Sequence, residues 1–537
     1  MSDIEIANSV KMNKIKDIAN DIGVSCDDVI LYGDYKAKIC KNGSKRGKLI
    51  LVTATSPTPM GEGKTTVSIG LCDALKKLGK NSILSLREPS MGPVFGMKGG
   101  ACGGGFSQVV PMEDINLHFT GDFHAISSAN NLINAAIYNH IENGNKLGID
   151  KVLFERAIDV NDRSLRHIVT KYGNDSFNIT AASEVMSVFC LASDLDELRD
   201  RLSKIVIGID TNSNFIYLRD LNIVGSLVVL LKDAFLPNLV QTLEKSPAFI
   251  HGGPFANIAH GCSSLVSLKM ALSYGDYVVT EAGFGADLGA EKFYDILCRD
   301  KSIKPDLTVL VTTIKSLKYH GGMNKDDILK EDLNYLEKGF NNLLIHYQNL
   351  KRFNKNIIVC LNKFSTDTDR EIKLLEDFCL SNDMEFAVSN SYSDGFKGAL
   401  LLANKVLENI NYNNQFKTLY DVNLSIEEKI EIIAKKIYRA DSVNYSDAAK
   451  NKIDIINKNG LSNLPICVSK TQYSLSDDCK NVVCDDKYSA NVSDIKLYNG
   501  ASFITVLFGS VVTMPGLPKC PNYEKIDFVD GKIIGLS

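Results

Sequence analysis

TPMGEGKTT (residues 58–66) follows an apolar run, KLILVTATS (48–56), and overlaps TTVSIGLCDALKKLGK (65–80) on its other side. The first flank is short and rich in β-branched residues, which predicts a buried strand. The second carries apolar residues at helical spacing and stops at Gly79, which predicts a helix. SILSLRE (82–88) then predicts another strand. Strand, loop, helix and strand make a βαβ unit, and such units imply a parallel sheet. Within the loop, Gly61, Gly63, Lys64 and Thr65 have the spacing of the last half of the phosphate-binding pattern G-x-x-x-x-G-K-[ST], although Thr58 stands at its first glycine. Such a loop works because successive backbone N–H groups point into one concavity and the following helix adds its positive end. Glycine is needed where the backbone approaches phosphate closely or takes positive φ. The predicted ATP contacts are therefore Thr58, Pro59, Met60, Gly61, Glu62, Gly63, Lys64 and Thr65. Lys64 reaches for the terminal phosphates and the Thr65 hydroxyl for magnesium. The plainer reading is a Gly-Lys turn that only caps a helix. The expected fold is α/β: a P-loop NTPase-like core with a mainly parallel sheet and smaller appended α/β domains.

A chain of 537 residues is too long for one ordinary core and predicts two to four domains or subdomains. Further strands are expected at KIVIGID (204–210), DYVVTEAG (276–283), LTVLVTTI (307–314), NIIVCLNKF (356–364) and EFAVSN (385–390). A long helix is expected over 327–353 and amphipathic helices over the first 45 residues. The net charge of −4 gives no hint of a nucleic-acid or anionic-membrane partner. The longest apolar stretch, around Ile223 to Leu231, is far shorter than the ~20 residues of a spanning helix. The N-terminus lacks an apolar signal core. Thirteen cysteines are scattered singly without a C-x-x-C pair, which points to a reducing, cytoplasmic setting.

Arg87 and Glu88 close the strand after the loop's helix, at the edge where α/β sheets place ligands. An arginine there can neutralise a transferring phosphoryl group; the alternative is a surface ion pair. Five glycines between Gly99 and Gly105 read as a loop bending round a ligand, because glycine weakens helices and strands by roughly 0.5–1 kcal/mol. Asp114, His118, Asp122 and His124 follow. The first three are spaced for one helical face and suit a polar network better than a dedicated metal site.

These segments together resemble formate–tetrahydrofolate ligases. The resemblance rests on TPMGEGKTT, REPSMGPVFGMKGGACGGG (87–105) and PMEDINLHFTGDFHA (111–125). It continues in order through IDVNDRSLR (158–166), ITAASEVM (179–186), GGPFANIAHGC (252–262), TEAGFGADLGAEKF (280–293), KTQYSLSDD (470–478) and TMPGLPK (513–519). That family's phosphate loop likewise lacks the first glycine. The resemblance implies a two-step ligase in which ATP phosphorylates formate and N10 of tetrahydrofolate attacks the formyl carbon. It implies catalytic roles for Lys64, Arg87 and Glu88, with Asp122 and His260 standing behind them. Phe364 and Tyr392 would flank the pterin, Tyr392 replacing the tryptophan usual there. It also implies a homotetramer activated by a monovalent cation, and small molecules alone as further partners. Residues 1–325 would form the nucleotide and formate domain, 326–435 a second α/β domain contributing the folate pocket, and 436–537 a small C-terminal domain. Arg439, where glycine is usual, is a further departure. Other readings at this stage are an acid-activating P-loop enzyme of the dethiobiotin-synthetase kind, a partitioning-type ATPase switch, and an inactive paralogue. The switch usually carries a second lysine, which TPMG lacks.

Overall fold

The computed structural model describes every residue except 97–101, 256–257, 259, 262, 301, 413–414, 484–486, 512–513, 515 and 537. The chain opens with helices α1 (Asp3–Ser9) and α2 (Ile15–Asp21), α1 being started by a reciprocal Ser2–Glu5 cap. The helical expectation for the first 45 residues ends there. Strands β1 (Val29–Leu31) and β2 (Ala37–Ile39) form a hairpin instead. Gly33, at φ 74°, makes the turn, and β2 finds its second partner some 200 residues downstream, where no local periodicity points.

The sheet continues with β3 (Lys48–Ala54), β4 (Ser82–Leu86), β5 (Asn238–Thr242), β6 (Pro247–Ile250), β7 (Tyr277–Glu281), β8 (Leu307–Thr312), β9 (Ile357–Asn362) and β10 (Glu385–Ser389). The spatial order is β1-β2-β5-β6-β4-β7-β3-β8-β9-β10, and every pairing from β6 to β10 is parallel. The sheet is thus mixed, with a large parallel part and an antiparallel edge. Helix α3 (Lys64–Lys77) joins β3 to β4, with β7 inserted between the two strands. From β3 the chain builds first toward β4 and later, through β8, toward the other edge. The carboxyl end of β3 therefore lies at a topological switch point, where open α/β sheets leave a crevice.

Alternate residues of β3 feed two cores. Leu49 and Leu51 pack on one face, Ile50, Val52 and Ala54 on the other. α3 is buried from Thr66 to Leu75, and the long helix α4 (Leu333–Lys351) covers the opposite face through Leu336, Phe340 and Leu343.

Two further expectations change. The strand in KIVIGID, Val206–Ile209, joins a separate antiparallel sheet with Phe215–Tyr217 and Lys151–Val152, because strand propensity does not say which partner will bury it. The run 112–142 is two helices, Met112–Asn116 and Asp122–Glu142, divided at Phe119 (φ 44°) and Gly121 (φ 92°). Asp114, His118 and Asp122 consequently do not share a helical face. The C-terminal part carries its own four-stranded sheet, Ser442–Tyr445, Ser489–Tyr498, Phe503–Phe508 and Ile466–Ser469 in spatial order. Among the described residues no helix is long and apolar enough to cross a membrane. The apolar 223–231 stretch contains only Val224–Leu231 as helix.

Candidate active site

The turn between β3 and α3 is shaped by its own residues. Gly61 and Gly63 take φ of 78° and 70°, which L-residues with a Cβ adopt at a cost. A Cβ on Gly63 would also lie 2.3 Å from Nδ2 of Asn362, the last residue of β9. Asn362 donates to the Glu62 carbonyl at 3.0 Å, so the glycine lets the turn sit directly on the neighbouring strand. The buried Glu62 carboxylate turns inward and accepts the Thr58 N–H at 2.6 Å. Thr58 thus serves as a backbone donor and, through Oγ1, as acceptor for Met60 N–H at 3.3 Å, which requires no glycine. The first-turn amides of α3 have no intrahelical acceptor, and Gly63 offers no side chain to cap them. This is the geometry that attracts an anion.

Thr65 donates from Oγ1 to Oε2 of Glu281 at 2.8 Å. Glu281 ends β7, opposite Val52 of β3, and is almost fully buried. No role for this carboxylate follows from the TEAGFGAD segment (280–287) by itself. Its signal was an acid closing an apolar strand, and only strand order reveals that β7 lies beside β3. A hydroxyl and a carboxylate together are hard oxygen donors of the kind magnesium takes.

Arg87 leaves the end of β4, two strand spacings or about 10 Å from the exit of β3. It donates to the Pro254 carbonyl at 3.1 Å. It also lies over Gly283, where a Cβ would meet Nη2 at 2.7 Å. Glu88 is anchored by its N–H to the Gly252 carbonyl at 2.9 Å. Its carboxyl is buried, and Oε2 has no partner among the described residues. Burial, reinforced by the Asp122 charge, pushes it well above the usual carboxylate range. Asp122 is fully engaged. It pairs with the buried Lys38 at 2.8 Å and accepts from Asn238 Nδ2 at 2.7 Å. His260 is completely buried with both ring nitrogens unpartnered among the described residues. Burial and then the Arg87 charge pull its pKa down to about 3, so the ring is neutral. Asp159, pushed up by burial to about 6, adds two more unpartnered oxygens. Buried polar groups are nearly always satisfied, so orphans around one arginine mark where a polar ligand belongs.

The remaining acid and imidazole groups of this region have partners of their own. Asp114 pairs with Lys36 at 2.8 Å, and His118 Nδ1 lies 2.7 Å from His124 Nε2. Among the described residues they make no cluster with metal-holding geometry.

Phe364 and Tyr392 follow the neighbouring parallel strands β9 and β10. The Phe364 ring lies under the Lys315 ammonium at 4.0 Å. Tyr392 sits on the short helix Ser391–Asp394 and is 52% exposed. That helix is fixed by Ser107 Oγ donating to the Ser391 carbonyl at 2.9 Å, and by Gly70 of α3, where a Cβ would strike Ser391 Oγ at 2.3 Å. Among the described residues the two aromatic rings make no direct contact. Of the glycine-rich segment, residues 97–101 lie outside the described residues, and Gly104 and Gly105 run beneath Tyr392.

The carboxyl ends of the parallel strands therefore carry an anion-attracting turn after β3, a hydroxyl–carboxylate pair between that turn and β7, an arginine with orphaned polar neighbours after β4, and an exposed aromatic after β10. A family model for formate–tetrahydrofolate ligase matches residues 1–537, the whole chain, and the chain belongs to that family of ATP-dependent ligases.

Proposed function

We propose that the chain joins formate to N10 of tetrahydrofolate through formyl phosphate, giving 10-formyltetrahydrofolate, ADP and phosphate. In this reading the core is P-loop NTPase-like and residues 58–65 hold the ATP phosphates. Lys64 draws negative charge from the terminal phosphoryl group. Thr65, oriented by Glu281, would hold magnesium, which supplies charge neutralisation of the phosphates when bound. A formate oxygen attacks the γ-phosphorus and ADP leaves. N10 then attacks the formyl carbon, the bond from that carbon to the bridging oxygen breaks, and phosphate leaves with that formate oxygen, taking up the N10 proton.

Arg87 stabilises the anionic oxygens of formyl phosphate. Burial and the Asp122 charge favour the protonated form of Glu88, which as a hydrogen-bond donor orients the pterin. Neutral His260 offers one donor and one acceptor nitrogen behind it, and Asp122 fixes the charge of Lys38 near Glu88. Phe364 and Tyr392 flank the pterin, Tyr392 with less stacking area than the usual tryptophan. Residues 1–325, 326–435 and 436–537 serve as the nucleotide and formate, folate and C-terminal portions. We further assign a cytoplasmic homotetramer activated by a monovalent cation. A light-scattering mass equal to the 59.0 kDa monomer at assay concentration would contradict the assembly.

The observation that carries this reading is the set of unpartnered buried groups, Glu88 and His260, gathered about Arg87 beside the phosphate turn. The test is ADP release from ATP with formate alone, tetrahydrofolate alone, and both together. Sustained turnover is expected only with both. Sustained release without formate would contradict the reading.

A further inference from the structure

The N-terminal helix reaches the folate side of the crevice. α1 is anchored by Ile4, Ile6 and Ala7, which are buried in the same core as α3. Its first residue, Asp3, makes two contacts with one oxygen. Oδ1 accepts the Gly105 N–H at 2.9 Å and the Tyr392 hydroxyl at 3.3 Å. Gln108 Nε2 ties the same place together by donating to the Asp3 carbonyl at 2.9 Å and the Gly105 carbonyl at 2.8 Å. The Phe106 N–H donates to the Tyr392 carbonyl at 2.9 Å.

The two glycines form the floor of the tyrosine. A Cβ on Gly104 would lie 3.1 Å from Tyr392 Cε2, and one on Gly105 would lie 2.9 Å from Cγ and 2.1 Å from the carbonyl oxygen. One ring face therefore rests on bare backbone while the ring stays 52% exposed. An exposed aromatic keeps rotamer freedom that a stacked ligand must remove on binding. A carboxylate on the hydroxyl removes it beforehand, and hydrogen bonds to charged groups are the strong ones. The Asp3 charge, followed by partial burial, raises the tyrosine pKa, consistent with a hydroxyl that keeps its proton on that carboxylate. Tryptophan, usual at this position, has no hydroxyl to hold. The tether thus fits the residue this chain carries.

We propose that Asp3 is a positioning residue that locks the Tyr392 ring against Gly104–Gly105 and so sets the affinity for tetrahydrofolate. This rests on the reading of Tyr392 as one wall of the folate site. The plain alternative is that Asp3 only favours the positive end of α1, which would affect stability and leave folate binding alone.

The test uses the full chain with Asp3→Ala, Asp3→Asn, Tyr392→Phe, the Asp3→Ala/Tyr392→Phe double variant and Tyr392→Ala. Tetrahydrofolate affinity is read by calorimetry, KM for tetrahydrofolate and for ATP by kinetics, and folding by melting temperature. Asp3→Ala and Tyr392→Phe are each expected to weaken tetrahydrofolate binding about three- to tenfold. The double variant should be no weaker than the worse single. Asp3→Asn, which keeps an acceptor, should recover part of the loss, and Asp3→Ala should leave KM for ATP unchanged. Unchanged folate affinity in Asp3→Ala, or single effects that multiply in the double variant, would overturn the tether while a weakened Tyr392→Ala left the folate site standing. Unchanged affinity in Tyr392→Ala would remove the folate-site reading, and the tether with it.

Discussion

Arg87 shows how closely a single residue can be held. Gly283 lies beneath its guanidinium, and a methyl group there would come within 2.7 Å of Nη2. Gly283→Ala should therefore tilt Arg87 away from its seat, lowering kcat at least tenfold, about 1.4 kcal/mol, while ATP affinity stays near wild type. Unchanged kcat would mean that Arg87 does not touch the reacting phosphoryl group. Lys64→Ala should leave less than a tenth of wild-type turnover with the fold intact, as measured by initial rates beside a melting curve. The glycine turn between β3 and α3 was legible in sequence because it is local: Gly61, Gly63, Lys64 and Thr65 lie within five residues of one another. Thr58 was a puzzle only while the pattern demanded glycine; its N–H and Oγ1 are both used within the turn. Glu281 was not legible, because its bond to Thr65 spans 216 positions and depends on β7 lying beside β3.

Among elements, the helix Ile426–Lys436 ends in a way that the sequence explains. The Ala440 N–H reaches back to the Ala434 carbonyl at 3.0 Å, and Arg439 between them takes φ of 63°. Glycine is the residue that ends helices in this conformation most easily, and a side chain there costs roughly 1–2 kcal/mol. Arg439 is also close to the Arg352 charge; burial, then that charge, depresses its pKa. Arg439→Gly should raise stability by about 1 kcal/mol, less whatever glycine adds to the entropy of the unfolded chain. Denaturant unfolding would check it, and a lower midpoint would contradict the strain argument. The strands β3, β4, β7, β8 and β9 were legible as apolar runs because burial on both faces leaves no alternation to misread, and the edge strand β10 was legible from the short run EFAVS although its burial alternates. The hairpin β1–β2 and the antiparallel pair β5–β6 were missed although each pairs locally, because the neighbours that carry them into the sheet, β5 beside β2 and β4 beside β6, are supplied by distant chain. The break at Phe119 and Gly121 was missed because glycine inside a helical pattern is often tolerated.

At the scale of the whole molecule, the segment after Glu281 binds the main sheet to the C-terminal part. Asp287 pairs with Lys470 at 2.9 Å, both buried, and Lys292 Nζ donates to the Val468 carbonyl at 3.1 Å. Glu291 and Asp295, one turn apart, are buried among Lys292, Arg299, Tyr420 and Tyr438. Burial pushes Glu291 well above the carboxylate range, helped by the Asp295 charge, and pushes Asp295 up to about 7. The folded chain therefore binds more protons here than the unfolded one. This contribution is full below the ordinary carboxylate range and is lost as pH rises through about 7. Each such proton lowers stability by about 1.4 kcal/mol per pH unit in that window. Glu184, raised by burial to about 8, acts in the same direction. Glu291→Gln should flatten the profile, gaining melting temperature relative to wild type between pH 5 and pH 8; a parallel profile would place the titration elsewhere. The central claim, however, is chemical, and oxygen isotope tests it most directly. With 18O-formate, ATP and tetrahydrofolate, formyl phosphate must break at the carbon–oxygen bond when N10 attacks. One formate oxygen then leaves in inorganic phosphate, which mass spectrometry reads. The account predicts one 18O per phosphate formed, with no label in ADP; product accumulating beside unlabelled phosphate would contradict it.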